Sequence, residues 1–165
     1  MTHARMAALA LIVALSSPGL ALAGQSAMPD AAVLATVNAA LDAAQSGDAK
    51  AMQAQYLPGC TFVDEFAPFF WSGANSMEAY FASAAEMYKE TGMAGTRVSR
   101  GKPKYVYVAG TSAYVVIPLK VSAKAKGKPY RGSGSLVFTL RKTDAGWKIA
   151  SQTWAKDTEN INPYK

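Results

Sequence analysis

Asp64 and Glu65 stand side by side inside an aromatic run, Phe62-Val63-Asp64-Glu65-Phe66-Ala67-Pro68-Phe69-Phe70-Trp71-Ser72-Gly73. A carboxylate in such a run is costly to bury unless something satisfies it. The stretch therefore reads either as a surface lip or as the polar point of a pocket. Apolar surroundings would raise the pKa of Asp64 and improve it as a proton acceptor. The bland alternative is an acid that accepts backbone N–H groups or pairs with an arginine. Glu65 reads as solvated. For acid–base chemistry Tyr56 or Tyr88 would be the donor beside Asp64. For ligand binding, Phe62, Phe66 and Trp71, with Phe69 and Phe70, offer a wall or lid; the alternative is plain closure of the core. Ser151 and Thr153 fall in phase with Trp147 and Ile149. If that face is concave, their hydroxyls position a ligand; hydroxyls more commonly bond to backbone.

The rest of the composition narrows the chemistry. Met-Thr-His-Ala-Arg-Met, an apolar run from Ala7 to Leu15, a Ser-Ser-Pro-Gly break and Ala21-Leu22-Ala23 have the layout of a secretory signal peptide. The apolar run is shorter than the roughly 20 residues of a membrane span. Cleavage after Ala23 leaves 142 of the 165 residues, enough for one domain with a core, and takes the net charge from +6 to +5 by removing Arg5. No Cys follows the cut, so a lipid anchor is not expected; the address is periplasmic or secreted. The only histidine, His3, leaves with the leader. Histidine triads, histidine metal sites and histidine bases are thereby excluded from the mature chain. The lone Cys60 cannot form an internal disulfide and reads as a small buried residue. No metal constellation or phosphate loop stands out, and no cofactor is expected. Arg131-Gly132-Ser133-Gly134-Ser135 is the nearest glycine-rich stretch, and within a strand pattern it marks a bend.

Three helices precede a run of strands. Residues 24–29 form a flexible lead, and Asp30 caps a helix bearing Val33, Leu34, Val37, Leu41 and Ala44 at helical spacing. Gly47 ends it. Asp48 opens a shorter helix carrying Met52, Tyr56 and Leu57, and Pro58-Gly59 signals a turn. Cys60 to Phe66 alternates as a strand, with Phe62, Asp64 and Phe66 on one face. Ser76 caps a third helix whose stripe is Met77, Tyr80, Phe81, Ala84 and Tyr88. Lys104–Val108, Ser112–Lys124, Pro129–Lys142 and Trp147–Ala155 are β-rich, separated by turn signals, and predict an antiparallel meander. Residues 157–165 read as a loose tail.

This order of elements, with the Phe62–Gly73 run and the closing Gly146-Trp147-Lys148-Ile149, resembles the NTF2-like superfamily in its SnoaL-like and ketosteroid-isomerase-like branch, over about Asp30 to Ala155. The resemblance implies an α+β cone: a curved antiparallel sheet wraps three N-terminal helices and leaves a pocket at its open end. It also implies a strand carboxylate as base in the isomerases, a position Asp64 matches. Two departures stand out. The family's oxyanion pair is absent, since the first helix has no Tyr and the matching strand offers Ala113, Val115, Ile117 and Leu119. The dehydratase relatives depend on histidines, which the mature chain lacks.

Two functions follow as expectations. One is an exported protein that binds a small, largely apolar molecule without catalysis. The other is a cofactor-independent isomerase or lyase using Asp64. Lys120, Lys124, Lys126, Lys128 and Arg131 cluster about one hairpin, as a solvated edge or as a surface for polyanions. Nucleic acid is not expected as a partner. Tyr105, Tyr107, Tyr114, Val116 and Trp154 fall opposite the expected core face and predict a homodimer through the convex sheet.

Overall fold

The computed structural model describes residues 31–164; the leader, the lead and the Asp30 cap lie outside the described residues. Its frame is set by two long strands joined by Lys126-Gly127, Ser112–Ala125 (β5) and Lys128–Thr143 (β6). Their register is unbroken from Ser112↔Arg141 to Ala125↔Lys128. Alternation therefore holds along all of β5, and Val115, Ile117 and Leu119 face the core while Tyr114 and Lys120 face away. Gly146–Glu159 (β7) pairs with β6, and Tyr56–Val63 (β1) adds to β7 as the one parallel pair among the described residues. Phe70–Trp71 (β2) closes that edge, while Ala94–Arg100 (β3) and Tyr105–Ala109 (β4) pair with the two halves of β5.

Helices Ala31–Ser46 (α1), Ala49–Gln53 (α2) and Ser76–Thr91 (α3) belong to the concave side. Val33, Val37 and Ala40 of α1 join Val115, Phe138, Leu140 and Ile149 in one buried cluster. Together the curved sheet and helices make the expected cone, and no described helix is long and apolar enough to cross a membrane.

Several local expectations change. Gly47 ends α1 at φ +74°, and the Asp48 carboxylate accepts the Ala51 N–H at 2.9 Å to open α2. That helix stops at Gln53, however. Tyr56 and Leu57 are drawn into β1, where Tyr56 sits opposite Ile149 and the Ile149 N–H donates to the Gln55 carbonyl at 2.8 Å. Sheet pairing outweighs a short helical pattern. Pro58-Gly59 is not a turn but part of an irregularity inside β1, with Gly59 at φ +71°. Ser76 does not cap α3. It is the first helical residue, and its hydroxyl donates to the Cys60 carbonyl at 2.5 Å. Of the α3 stripe, Met77, Tyr80 and Ala84 pack on the core, whereas Phe81 and Tyr88 are exposed.

The largest correction is in β7. Leu140 pairs with Ile149 but Thr139 pairs with Ser151, so Ala150 is an extra, bulged residue. One inserted residue exchanges the faces of everything beyond it. Trp147 and Ile149 face the core, and past the bulge Gln152 and Trp154 do. Ser151 and Thr153 turn to the outer face, where the Ser151 and Thr139 hydroxyls bond at 2.6 Å. Trp154 packs against the core instead of lying on the convex face, and Val116 is buried. Tyr105, Tyr107 and Tyr114 remain exposed there, the first two stacked at 5.9 Å. The tail also differs: β7 continues through Glu159, and the Asn160 side chain accepts the Arg131 N–H at 2.6 Å.

Candidate functional site

The end of β1 delivers Phe62 and Asp64 to the interior side, and α3 supplies Tyr80 above them. Phe62 is fully buried, and the Tyr80 ring stacks on it at 4.6 Å with planes 9° apart. Trp71 meets the Tyr80 ring edge-on at 5.2 Å, and Phe66 lies 5.8 Å from it. The Trp71 indole N–H is held by the Ser83 hydroxyl at 3.1 Å. Aromatic packing of this kind fixes the Tyr80 ring and aims its hydroxyl.

That hydroxyl donates to Asp64 Oδ2 at 2.8 Å. Asp64 Oδ1 accepts the Glu65 N–H, also at 2.8 Å. Each oxygen keeps a lone pair for another donor. Burial pushes the Asp64 carboxyl up to about 6, against the opposing pull of the Tyr80 hydrogen bond and the Lys156 charge. Burial raises the Tyr80 hydroxyl well above its ordinary value, with the Asp64 charge adding to it. The proton therefore stays on Tyr80, and Asp64 is the group that can take one.

The tyrosine hydroxyl beside Asp64 is that of Tyr80, and not of Tyr56 or Tyr88. Tyr56 faces the core and donates to the Gln152 side-chain oxygen at 2.5 Å. Tyr88 is exposed on α3. The sixteen-residue separation of Asp64 and Tyr80 carries no local signal, and Tyr80 fits an apolar helical stripe just as well. Glu65 is not simply solvated: Lys156, on the inner side of β7 two residues past Trp154, pairs with it at 2.6 Å and with Glu159 at 2.8 Å. Asp64, Glu65 and Glu159 thus share Lys156 as a common cation.

Beside this group is a cleft of about 540 Å³. Phe66, Phe69, Met87 and Tyr164 form its apolar wall, with Glu65, Glu86 and Glu90 among its polar groups. Of the residues expected to bind, Phe66 lines this cleft. Phe62 and Trp71 are buried beneath and beside Tyr80, and Ser151 and Thr153 lie on the outer face of the sheet. Tyr164 was not expected; it belongs to the terminal segment, where Pro163 is buried and Tyr164 half-exposed.

The Asp64 shift carries a stability prediction. Its folded-state pKa of about 6 lies above the ordinary 3.8. As pH rises from 4 to 6 the unfolded chain loses this proton first, so folding becomes less favourable. Below pH 4 no penalty exists; above about 6.5 it is complete, at up to about 3 kcal/mol for two pKa units. Asp64→Asn is expected to melt at the same temperature as wild type near pH 4 and at a higher one at pH 7.5. A difference in Tm that does not change with pH would overturn this assignment.

A SnoaL-like domain model matches residues 33–154. No curated protein sequence matches the chain. Among solved structures, a ketosteroid isomerase-like protein from Erwinia carotovora atroseptica is 20% identical, with 78% of this chain and 95% of that one covered and a TM-score of 0.61. The CaMKII hub of S. rosetta is 22% identical over 79% and 98%, with a TM-score of 0.64. An NTF2-like protein of unknown function from Pseudomonas putida is 12% identical over 82% and 90%, with a TM-score of 0.63. With the cone, the parallel β1–β7 pair and the family match over most of its length, the chain belongs to the SnoaL-like domain family of the NTF2-like superfamily.

Proposed function

We propose that this domain, exported behind a leader ending at Ala23, binds a small, largely apolar molecule at the open end of its cone, without catalysis. The observation that carries this reading is the cleft of about 540 Å³ walled by Phe66, Phe69, Met87 and Tyr164 beside the Asp64–Tyr80 pair. Its size falls within the roughly 300–1,000 Å³ of small-molecule sites, and its apolar wall stands beside the carboxylates of Glu65, Glu86 and Glu90. A second reading, cofactor-independent proton transfer with Asp64 as base, is favoured by the carboxyl pKa of about 6, close to what a base working near neutral pH needs. The ketosteroid isomerase-like name of one structural neighbour fits that reading.

One measurement tests these points: native mass spectrometry of the protein purified from its natural host. The expected spectrum has a chain beginning at Gly24, a dimer joined through the face of Tyr105, Tyr107 and Tyr114, and the added mass of a small molecule. Phe69→Lys, at an exposed position of the cleft wall, should lower ligand occupancy at least tenfold. Bare wild-type protein would sink the binding reading, and undiminished occupancy in Phe69→Lys would move the site elsewhere. An intact Met1 would refute export, and a monomer would refute the dimer. A different adduct in Asp64→Asn, the mass of unreacted substrate, would favour the catalytic reading.

A further inference from the structure

The far end of the sheet holds a second concavity, about 590 Å³, on the opposite face from the cone interior. Register fixes which side chains wall it. Arg97, Ser122 and Arg131 are direct partners across β3, β5 and β6. Two residues along, Ser99, Lys120, Ser133 and Thr158 are partners across β3, β5, β6 and β7. Directly opposed residues share a face, and both rows share the even, outward phase of β5. The row between them, Val98, Val121, Gly132 and Glu159, points the other way and lends only its backbone as floor. Glu159, its one carboxylate, is engaged with Lys156 on the inner side at 2.8 Å.

The groove therefore presents three cations and four hydroxyls. Among the described residues, Arg97, Lys120 and Arg131 take part in no ion pair. Arg97 and Arg131 stand two strands apart, roughly 10 Å, with the Ser122 hydroxyl between them. Such an arrangement is suited to a ligand with anionic groups spaced along a hydroxylated framework, more than to a single small anion. No aromatic ring lines it, which removes the stacking that single-stranded nucleic acid uses. Its concavity does not match a flat bilayer.

We propose that this groove is a binding site for an anionic oligosaccharide, its charged groups on Arg97, Lys120 and Arg131 and its hydroxyls on the serine row. The site shares Glu159 with the group at the cone mouth but takes its cations and hydroxyls from the opposite face of the sheet, and the proposal stands whichever function holds there.

The test is isothermal titration calorimetry of the purified protein with a sulfated heparin-type tetrasaccharide, beside neutral maltotetraose, phosphatidylglycerol vesicles and a single-stranded oligonucleotide. Saturable binding of the sulfated tetrasaccharide alone is expected, weakening as salt rises. Arg97→Gln/Arg131→Gln should weaken it at least tenfold. Lys50→Gln/Lys142→Gln, which removes the same charge from exposed sites outside the groove, should change it less than twofold. Equal losses in the two variants would reduce the effect to net charge and overturn the proposal. So would no binding, or groove-dependent binding of the vesicles or the oligonucleotide in place of the tetrasaccharide.

Discussion

Phe62→Ala is expected to destabilise the domain by about 3–5 kcal/mol, the usual cost of removing a large aromatic from a core. Phe62 has no exposed surface, and its ring lies between those of Tyr56, at 5.5 Å, and Tyr80, at 4.6 Å. Its loss leaves a cavity where strand and helix meet, and neither the β1–β7 pairing nor the start of α3 can move in to fill it. Tyr80 would also lose the surface that orients its hydroxyl toward Asp64. The variant should therefore weaken the site as well as the fold. Urea denaturation followed by circular dichroism gives the stability. Phe69→Ala is the control, since Phe69 is 57% exposed and its removal should cost less than about 0.5 kcal/mol. A loss below 1 kcal/mol in Phe62→Ala would mean that the stack is not what closes this end of the core.

The same residue shows what could be read without coordinates. Period-two alternation places Phe62 and Asp64 on one side; the expected strand through Phe66 stops at Val63, and Phe66 reaches the same cluster from the bend that follows, packing on Trp71 and Tyr80. In β5 the alternation of Val115, Ile117 and Leu119 is likewise legible, and the Lys126-Gly127 and Asp144-Ala145-Gly146 turns fix the order of the long strands. What escapes is whatever depends on a distant partner. The Ala150 bulge leaves no mark in a sequence that alternates smoothly on both sides of it, yet it sends Ser151 and Thr153 outward and Trp154 inward. Tyr80 looks like any aromatic on an apolar stripe until α3 is laid over β1. β3 has no alternation because both of its faces are largely exposed, and the lysine–serine ladder it completes exists only through register. Residues 157–165 read as loose because the partners that hold Asn160, the Arg131 N–H and the Pro129 carbonyl, are remote in sequence.

Gly134 sits at a second irregularity of the β6–β7 pairing, where Ser133 pairs with Thr158 but Gly134 with Lys156, and its substitution is the second large effect expected. It lies in β6 without unusual backbone angles, so what requires glycine there is space. A Cβ at this position would sit 2.6 Å from Cη2 of the Trp154 ring and would also press on the Ala155 carbonyl. Backbone on one side and a large ring on the other cannot both yield, and overpacking of this sort costs about 1–3 kcal/mol. Gly134→Ala is therefore expected to lose that much, with a red-shifted tryptophan emission as Trp154 is pushed toward water. Gly132→Ala is the contrast: the added atom there would press on the hydroxyl end of Tyr130 alone, at 2.8 Å, with the nearest backbone atom, the Thr158 carbonyl oxygen, at 3.4 Å. Tyr130 is buried and its hydroxyl is bonded to Glu159, so that one bond must give. Its cost should be about 1 kcal/mol, that of weakening one hydrogen bond, and below that of Gly134→Ala. The deciding measurement is a double-mutant cycle. In a Trp154→Leu background the ring is gone and only the carbonyl contact remains, so Gly134→Ala should cost less by at least about 0.5 kcal/mol, the lower end of coupling between touching residues. If the two substitutions are additive, Trp154 does not press on Gly134 in solution, and the inward turn of β7 beyond Ala150 would have to be withdrawn.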